Sequence, residues 1–264
     1  MILVTGGTGR VGRRLVRKLR EGGHPVRPAS RTGEVRFDWE QPGTWDAVLR
    51  GATKAFVMAP NRIPDPAFVQ RAVTLGVEHI VLLSSRGIDA VGDERLMAAE
   101  RAVEASGAAW TVLRPDSFNQ NFDEGFFRQA VVAGELVMPF GDLKQAFVDA
   151  DDIAAVAAAT LTTAGHAGRR YEVTGPRSLS YAEALDIIAG HVGYPVRYRG
   201  TEEDYFAAQE ALGKTRAQTG PAVAALRAIR AAGDRAPTDT VERVTGRKPR
   251  TFEDFAANAG WDAS

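Results

Sequence analysis

The stretch that decides the fold is Met1-Ile2-Leu3-Val4-Thr5-Gly6-Gly7-Thr8-Gly9-Arg10-Val11-Gly12, the first twelve residues. Ile2–Thr5 reads as a short strand, and the three spaced glycines that follow have separate tasks. Gly6 permits a tight turn, Gly9 lets backbone approach a pyrophosphate, and Gly12 lets the next helix pack close to the sheet. Val11, Leu15 and Leu19 recur every four residues until Gly22-Gly23 stops the pattern, as the core-facing stripe of a helix does. A second strand over 25–29 completes a βαβ crossover within residues 1–31. Amide groups at the start of that helix face an anion, helped by the helix dipole. A glycine motif alone is a weak signal; strand before and helix after give it the context of a dinucleotide site.

The alternation continues beyond this unit. Strand-length apolar runs at 35–38, 55–58, 79–84, 111–114 and 171–174 are separated by amphipathic stretches of helical length, which predicts an α/β fold: a Rossmann-type, doubly wound parallel sheet. Pro28 falls inside the second strand, where a missing N–H is costly, and is expected at the strand end or at a bulge. After residue 175 helical signals dominate. Ser180-Tyr181-Ala182-Glu183 is a capping box followed by Leu185, Ile188 and Ala189 on one face, and 201–204 and 251–254 make similar starts. Gly193-Tyr194-Pro195, Gly220-Pro221 and Lys248-Pro249 punctuate the region. The expected domains are 1–175, which binds the nucleotide, and 176–264, a smaller and mostly helical C-terminal substrate lobe, with 116–146 partly lining the substrate site.

Composition narrows the function. At 264 residues, 44% hydrophobic and 25% charged, the chain has the make-up of a folded globular protein. Lys plus Arg total 33 and Asp plus Glu total 33, so no net field draws it to nucleic acid or to an anionic membrane. Cysteine is absent, which removes disulfides, thiolate metal sites and thiol nucleophiles. The four histidines are scattered, so no metal site is expected. With no signal sequence or membrane span apparent, a cytoplasmic location is expected.

The end of the second strand bears on cofactor choice. An acid there would accept hydrogen bonds from a ribose 2′-hydroxyl, whereas Ala29-Ser30-Arg31-Thr32 offers none, and Ser30 and Arg31 favour NADP, with NAD as the alternative. The alternative for Arg31 is a plain surface cation. Asp38 and Trp39, closing the third strand, are placed to meet an adenine edge and face, or Trp39 is simply a core residue. Many reductases on this fold use a Tyr four residues before a Lys as proton donor. All five tyrosines here lie at 171 or beyond and none has Lys four residues later, so the catalytic residue is left open. Ser84 and Ser85 either line the nicotinamide end or cap a strand. Substrates that accept hydride readily, such as quinones, need positioning more than an acid. Phe118, Asn119, Asn121, Phe122, Phe126, Phe127 and Phe140 supply apolar and amide groups for a flat pocket, or else a core.

Taken together, the Thr5-Gly6-Gly7-Thr8-Gly9 turn, Arg31, "HIVLLSS" at 79–85, "ASGAAWTVLRPDSFNQN" at 105–121, "FVDADDIAAVAA" at 147–158, "YEVTGPRSLSYAEAL" at 171–185 and "VERVTGRKPRTFEDFA" at 241–256 resemble the NmrA-like, atypical branch of the short-chain dehydrogenase/reductases. The group is similar to type 2 NAD(P)H quinone reductases and triphenylmethane reductases, and to redox-sensing regulators. The resemblance implies that Thr8, Gly9, Arg10 and Val11 hold pyrophosphate and that Arg31 meets a 2′-phosphate. It further implies that Ala59, Pro60, Asn61, Ser84 and Ser85 pass near ribose and nicotinamide, and that 116–122 and the last lobe wall the substrate site. Asp149, Asp151 and Asp152 match the family's acidic block, and their expected task is capping a helix that starts near 151.

Three functions follow as alternatives: an NAD(P)H-dependent reductase of a quinone or other conjugated aromatic, a nucleotide-sensing regulator without turnover, or a tailoring oxidoreductase or oxygenase in aromatic natural-product synthesis. The expected partner is a small aromatic substrate, with no nucleic acid and no membrane, and a homodimer is compatible with the sequence.

Overall fold

The computed structural model describes residues 1–261. In chain order its first half carries β1 (Ile2–Thr5), α1 (Arg10–Glu21), β2 (Val26–Ser30), β3 (Val35–Arg36), α2 (Trp45–Leu49), β4 (Lys54–Met58), α3 (Ala67–Thr74), β5 (His79–Leu83), α4 (Ile88–Val91), α5 (Glu94–Glu104) and β6 (Ala109–Pro115). There follow α6 (Arg128–Val132), β7 (Glu135–Val137), β8 (Lys144–Gln145), α7 (Ala150–Thr162), β9 (Arg169–Val173), β10 (Leu179–Ser180), α8 (Tyr181–Val192), β11 (Arg197–Arg199), α9 (Glu202–Ala211), α10 (Arg216–Ala231), α11 (Thr240–Thr245) and α12 (Phe252–Asn258).

These elements form two compact units that interleave along the chain. The first is Met1–Pro115, Ala150–Val173 and Asp239–Lys248; the second is Asp116–Asp149, Thr174–Thr238 and Pro249–Ser264, whose last three residues, 262–264, lie outside those described. The segment 116–149, although it interrupts the first unit in sequence, packs with the second. No helix among the described residues is long and apolar enough to cross a membrane.

The first unit is built on a seven-stranded sheet in the order β3-β2-β1-β4-β5-β6-β9, parallel throughout. Strands buried on both faces demand apolar side chains in both directions. Leu3, Ala55, Val57, Ile80, Leu82 and Val112 point to one face, where Val48 and Leu49 of α2, Phe68 and Ala72 of α3, and Ala99 and Val103 of α5 complete a single cluster. The alternate residues Val4, Phe56, Val81 and Leu113 are also buried, toward the opposite face. There α7 packs on α1 and α11 and lies over β4, β5 and β6. Asp151 joins two of these helices: it pairs with Arg14, Arg17 and Lys18 of α1 at 3.2, 2.6 and 3.3 Å. Asp149 accepts a bond from Gln120 Nε2 at 3.2 Å.

Pro28 corrects one expectation. It is the central residue of β2, paired with Val4 of β1, at neither a strand end nor a bulge. The bond from Ile2 N–H to Pro25 O, 2.8 Å, sets the phase of the ladder, so that the N–H groups of Arg27 and Ala29 face β1 and the nitrogen of Pro28 faces away. On that side β3 begins only opposite Ala29, so no partner carbonyl goes without a donor.

Among the described residues the second unit has two small sheets, β7 with β11 in parallel and β8 with β10 antiparallel, and the α-helices α6, α8, α9, α10 and α12. The capping boxes at Ser180 and Glu183, Thr201 and Asp204, and Thr251 and Asp254 open α8, α9 and α12 as their sequence predicts. Gly220-Pro221 does not end a helix: α10 runs through it. A further capping box at Thr215 and Gln218 starts this helix, and the residue before the proline is glycine, which has no Cβ to meet the ring. Only one N–H is lost in sixteen residues.

Candidate functional site: a glycine turn at the sheet's switch point

In strand order, β1 and β4 are neighbours at which the direction of winding reverses, and in open α/β sheets the crevice at the carboxyl ends of such strands is where ligands bind. Thr5 closes the gap here, its hydroxyl accepting Met58 N–H at 2.9 Å. The chain then turns through Gly6 at φ +65°, a backbone conformation that side chains disfavour. A Cβ on Gly6 would also lie 2.5 Å from Met58 Cε, and one on Gly7 would lie 2.7 Å from the Pro28 ring. Gly12 is the most constrained, since a Cβ there would lie 2.0 Å from the carbonyl oxygen of Gly6. The third glycine thus lets α1 press against the turn itself.

Gly9 starts α1. Its N–H donates to Gly6 O at 2.9 Å and its carbonyl accepts Arg13 N–H at 3.0 Å. The N–H groups of Val11 and Gly12, in the first turn of the helix, have no carbonyl partner within it. There is no acidic side chain in this first turn to offset the positive end of the dipole. Thr8, exposed, stands at the lip.

At the end of β2, Ser30 is buried, and its hydroxyl has no hydrogen-bond partner among the described residues. A Cβ at Gly33 would come within 2.6 Å of that oxygen. Arg31, next in the chain, is exposed. Asp38 lies beyond the end of β3; its carboxylate accepts Glu40 N–H at 3.0 Å, and its carbonyl accepts the Trp45 indole N–H at 3.0 Å. Trp39 is half-buried, with its ring 5.3 Å from Phe37 and 4.6 Å from Phe68, so most of its surface serves packing. After β4, Ala59 packs on the same cluster, Pro60 O accepts Arg95 Nη1 at 3.0 Å, and Asn61 is exposed.

At the end of β5 the structure shows a group that sequence reasoning missed. Ser84 is buried and donates to Glu100 Oε1 at 2.5 Å, while Arg114 grips the same carboxylate with Nε at 2.9 Å and Nη2 at 2.6 Å. Arg114 also meets Asp89 at 2.8 Å. The Glu100 carboxylate holds this guanidinium well above its ordinary range. A charge near the end of the apolar run 111–115 was the available clue, because a buried cation needs a counter-charge. Ser84 is therefore tied to α5, and Ser85 is the more exposed of the two serines.

In the second unit, Phe118 bridges to Val148, and Asn119 donates its N–H to Val148 O at 2.9 Å. The Asn119 side chain is fully buried. Phe122 is also fully buried, ringed by Phe127, Phe147 and Phe252 at centroid distances of 5.3, 5.6 and 5.5 Å. Phe140 stacks on Tyr181 at 4.9 Å. Both rings are spent largely on this core.

Residues 6–164, which hold the glycine turn, match a family model described as NAD(P)H-binding. The chain belongs to this NAD(P)H-binding family. This oxidoreductase is 38% identical, over 97% of its own length and 96% of the relative's, to NAD(P)H azoreductase from Xenophilus azovorans. Its fold is similar to that of an NADPH-dependent quinone oxidoreductase from Escherichia coli complexed with NADPH, with TM-score 0.79 and 21% identity over 97% of this chain and 99% of the other. It is likewise similar in fold to the triphenylmethane reductase from Citrobacter sp. complexed with NADP(H), with TM-score 0.77 and 20% identity over 98% and 99% of the two chains.

The residues around the glycine turn fit such a group. The N–H donors in the first turn of α1 suit a diphosphate, and the unpaired Ser30 hydroxyl sits at the strand end where a ribose is read.

Proposed function

We propose that this NAD(P)H-dependent oxidoreductase reduces a quinone or another conjugated aromatic acceptor, with NADPH as the preferred donor. The observation that carries the reading is the make-up of α5, the longer of the two helices between β5 and β6, which has neither Tyr nor Lys and whose central acid, Glu100, is engaged by Ser84 and Arg114. A reductase without that acid pair suits acceptors whose reduction product stabilises its own negative charge. The named relatives agree in kind: an azoreductase, a quinone oxidoreductase and a triphenylmethane reductase are all named for conjugated acceptors.

Bound NADPH would supply the hydride that, with one solvent proton, takes a quinone to its hydroquinone. The chain's contribution is placement. Gly6, Thr8, Gly9, Arg10, Val11 and Gly12 hold the diphosphate, Ser30 and Arg31 read the 2′ position, and Asp38, Trp39, Ala59, Pro60, Asn61, Ser84 and Ser85 flank the remainder of the nucleotide. Phe118, the partly exposed member of a group with buried Asn119, Phe122 and Phe140 behind it, receives the acceptor. The test is NADPH oxidation by purified protein across a quinone panel. Acceleration by at least one quinone is expected, and none across the panel overturns the reading.

A further inference from the structure

We infer that Met58 is an oxidation-sensitive switch on coenzyme binding: a hydroperoxide converts its thioether to the sulfoxide and so weakens the hold of the glycine turn on NADPH. The inference rests on the placing of the nucleotide diphosphate at that turn. It starts from where the chain keeps its sulfur. There is no cysteine, and the four methionines stand at 1, 58, 97 and 138. Met1, Met97 and Met138 are half-buried, whereas Met58 is 38% exposed, so Met58 is the sulfur that an oxidant in solution reaches most easily.

Met58 is held against the turn. It ends β4, its N–H donates to the Thr5 hydroxyl at 2.9 Å, and it pairs with Leu83 of β5, so its backbone is fixed in the sheet. Its side chain lies over Gly6: a Cβ there would be 2.5 Å from Met58 Cε and 3.4 Å from Sδ. Gly6 holds φ +65°, its carbonyl accepts Gly9 N–H at 2.9 Å, and a Cβ on Gly12 would lie 2.0 Å from that same oxygen. The turn therefore has no slack on either side. All of these residues belong to the first unit.

A thioether is apolar and a weak acceptor, whereas a sulfoxide is bulkier and polar. In the oxidation, the sulfur of Met58 gives an electron pair to one peroxide oxygen, the O–O bond breaks, and the other oxygen leaves as water or an alcohol. The oxygen gained sits on the atom that packs against Gly6. It presses on the turn and sets a negative partial charge beside it, and both effects oppose a bound diphosphate. The proposed activity contains a source of the oxidant: a hydroquinone gives two electrons and two protons to dioxygen, returning quinone and hydrogen peroxide. The switch then damps turnover as peroxide accumulates.

The test treats the full chain with hydrogen peroxide and locates added oxygen by peptide mass spectrometry. The NADPH Kd is followed by fluorescence before treatment, after it, and after repair by methionine sulfoxide reductases A and B. Wild type should gain oxygen at Met58 first, and its Kd should rise roughly tenfold and return on repair. Met58→Leu, close in size and without sulfur, should keep whatever Kd it starts with through the same treatment. A wild-type Kd unmoved once Met58 carries oxygen overturns the inference, as does an equal rise in Met58→Leu or a rise that repair does not reverse. Failure of the underlying placement reads differently: an untreated chain that does not bind NADPH, or binds it equally well as Gly12→Ala, puts the coenzyme elsewhere, and the switch falls with it. A silent quinone panel removes only the internal source of peroxide, since the added oxidant tests the switch regardless.

Discussion

Glu100 clasps Arg114 through both carboxylate oxygens, at 2.9 and 2.6 Å, while the hydroxyl of Ser84 closes on Oε1 at 2.5 Å. Glu100 is 4% exposed, so the pair is one whose halves depend on each other. Removing Glu100 leaves the Arg114 guanidinium with the largely exposed Asp89 carboxylate in place of its buried counter-charge. Glu100→Ala is expected to lower the unfolding free energy by about 3–5 kcal/mol, read from urea denaturation. A loss of less than about 1 kcal/mol, the range of a surface pair, would show that solvent reaches Arg114 freely.

The third glycine offers a second test. A methyl group at Gly12 would sit 2.0 Å from Gly6 O, and backbone rather than a flexible side chain must yield. Gly12→Ala should cost about 1–3 kcal/mol of stability. It should also weaken NADPH by more than tenfold, because the displaced atoms belong to the turn that presents the amides. Unaltered affinity, measured by isothermal titration, would separate the turn from nucleotide binding.

Arg31→Glu addresses coenzyme choice. Arg31 is exposed beside the unpaired Ser30 hydroxyl, and reversing its charge opposes a 2′-phosphate while leaving a 2′-hydroxyl acceptable. The NADPH Kd should rise by roughly ten- to a hundredfold, the value of one or two charge-assisted bonds. NADH should change little. Equal effects on both coenzymes would discard the assignment of Arg31 to the phosphate.

Stability should depend on pH through a pair of histidines. His79 Nε2 lies 2.9 Å from Thr111 Oγ1, and since the Thr111 hydroxyl donates to His166 O at 2.8 Å, the imidazole is the donor in that contact. His166 Nδ1 lies 2.9 Å from the Tyr171 hydroxyl. Burial, then nearby Lys54 and His166, hold His79 below its ordinary pKa; burial, then Arg243, do the same to His166. With the folded-state values depressed, the unfolded chain takes up protons first as pH falls below about 6.5, so stability is full above that point and declines beneath it. Melting temperatures should fall between pH 7 and pH 5, and His79→Gln should flatten the profile. A flat wild-type profile over that interval would contradict the sign.

Much of this architecture was legible in the chain. The glycine turn, the stripe Val11, Leu15, Leu19 and each of the seven sheet strands follow from local rules of spacing, and capping boxes with an acid at the third position are equally plain. What escaped depends on partners distant in sequence. Thr215 was hidden because its box closes on Gln218, with Pro221 shortly after as an apparent stop, and Pro28 was misjudged because the extent of β3 decides whether its missing donor matters. The Glu100 and Arg114 pair joins a helix to a strand, and the unpaired amide of Asn119 is a property of surroundings that no local pattern encodes.

The order in which the two units alternate along the chain bears on how the first could be isolated. α11, which packs on α7 and β9, belongs to the first unit but follows the longest stretch of the second in sequence. A fragment ending at residue 175 would carry every strand of the seven-stranded sheet and still lack the helix laid against α7 and β9, so the first unit cannot be excised as one continuous piece of chain.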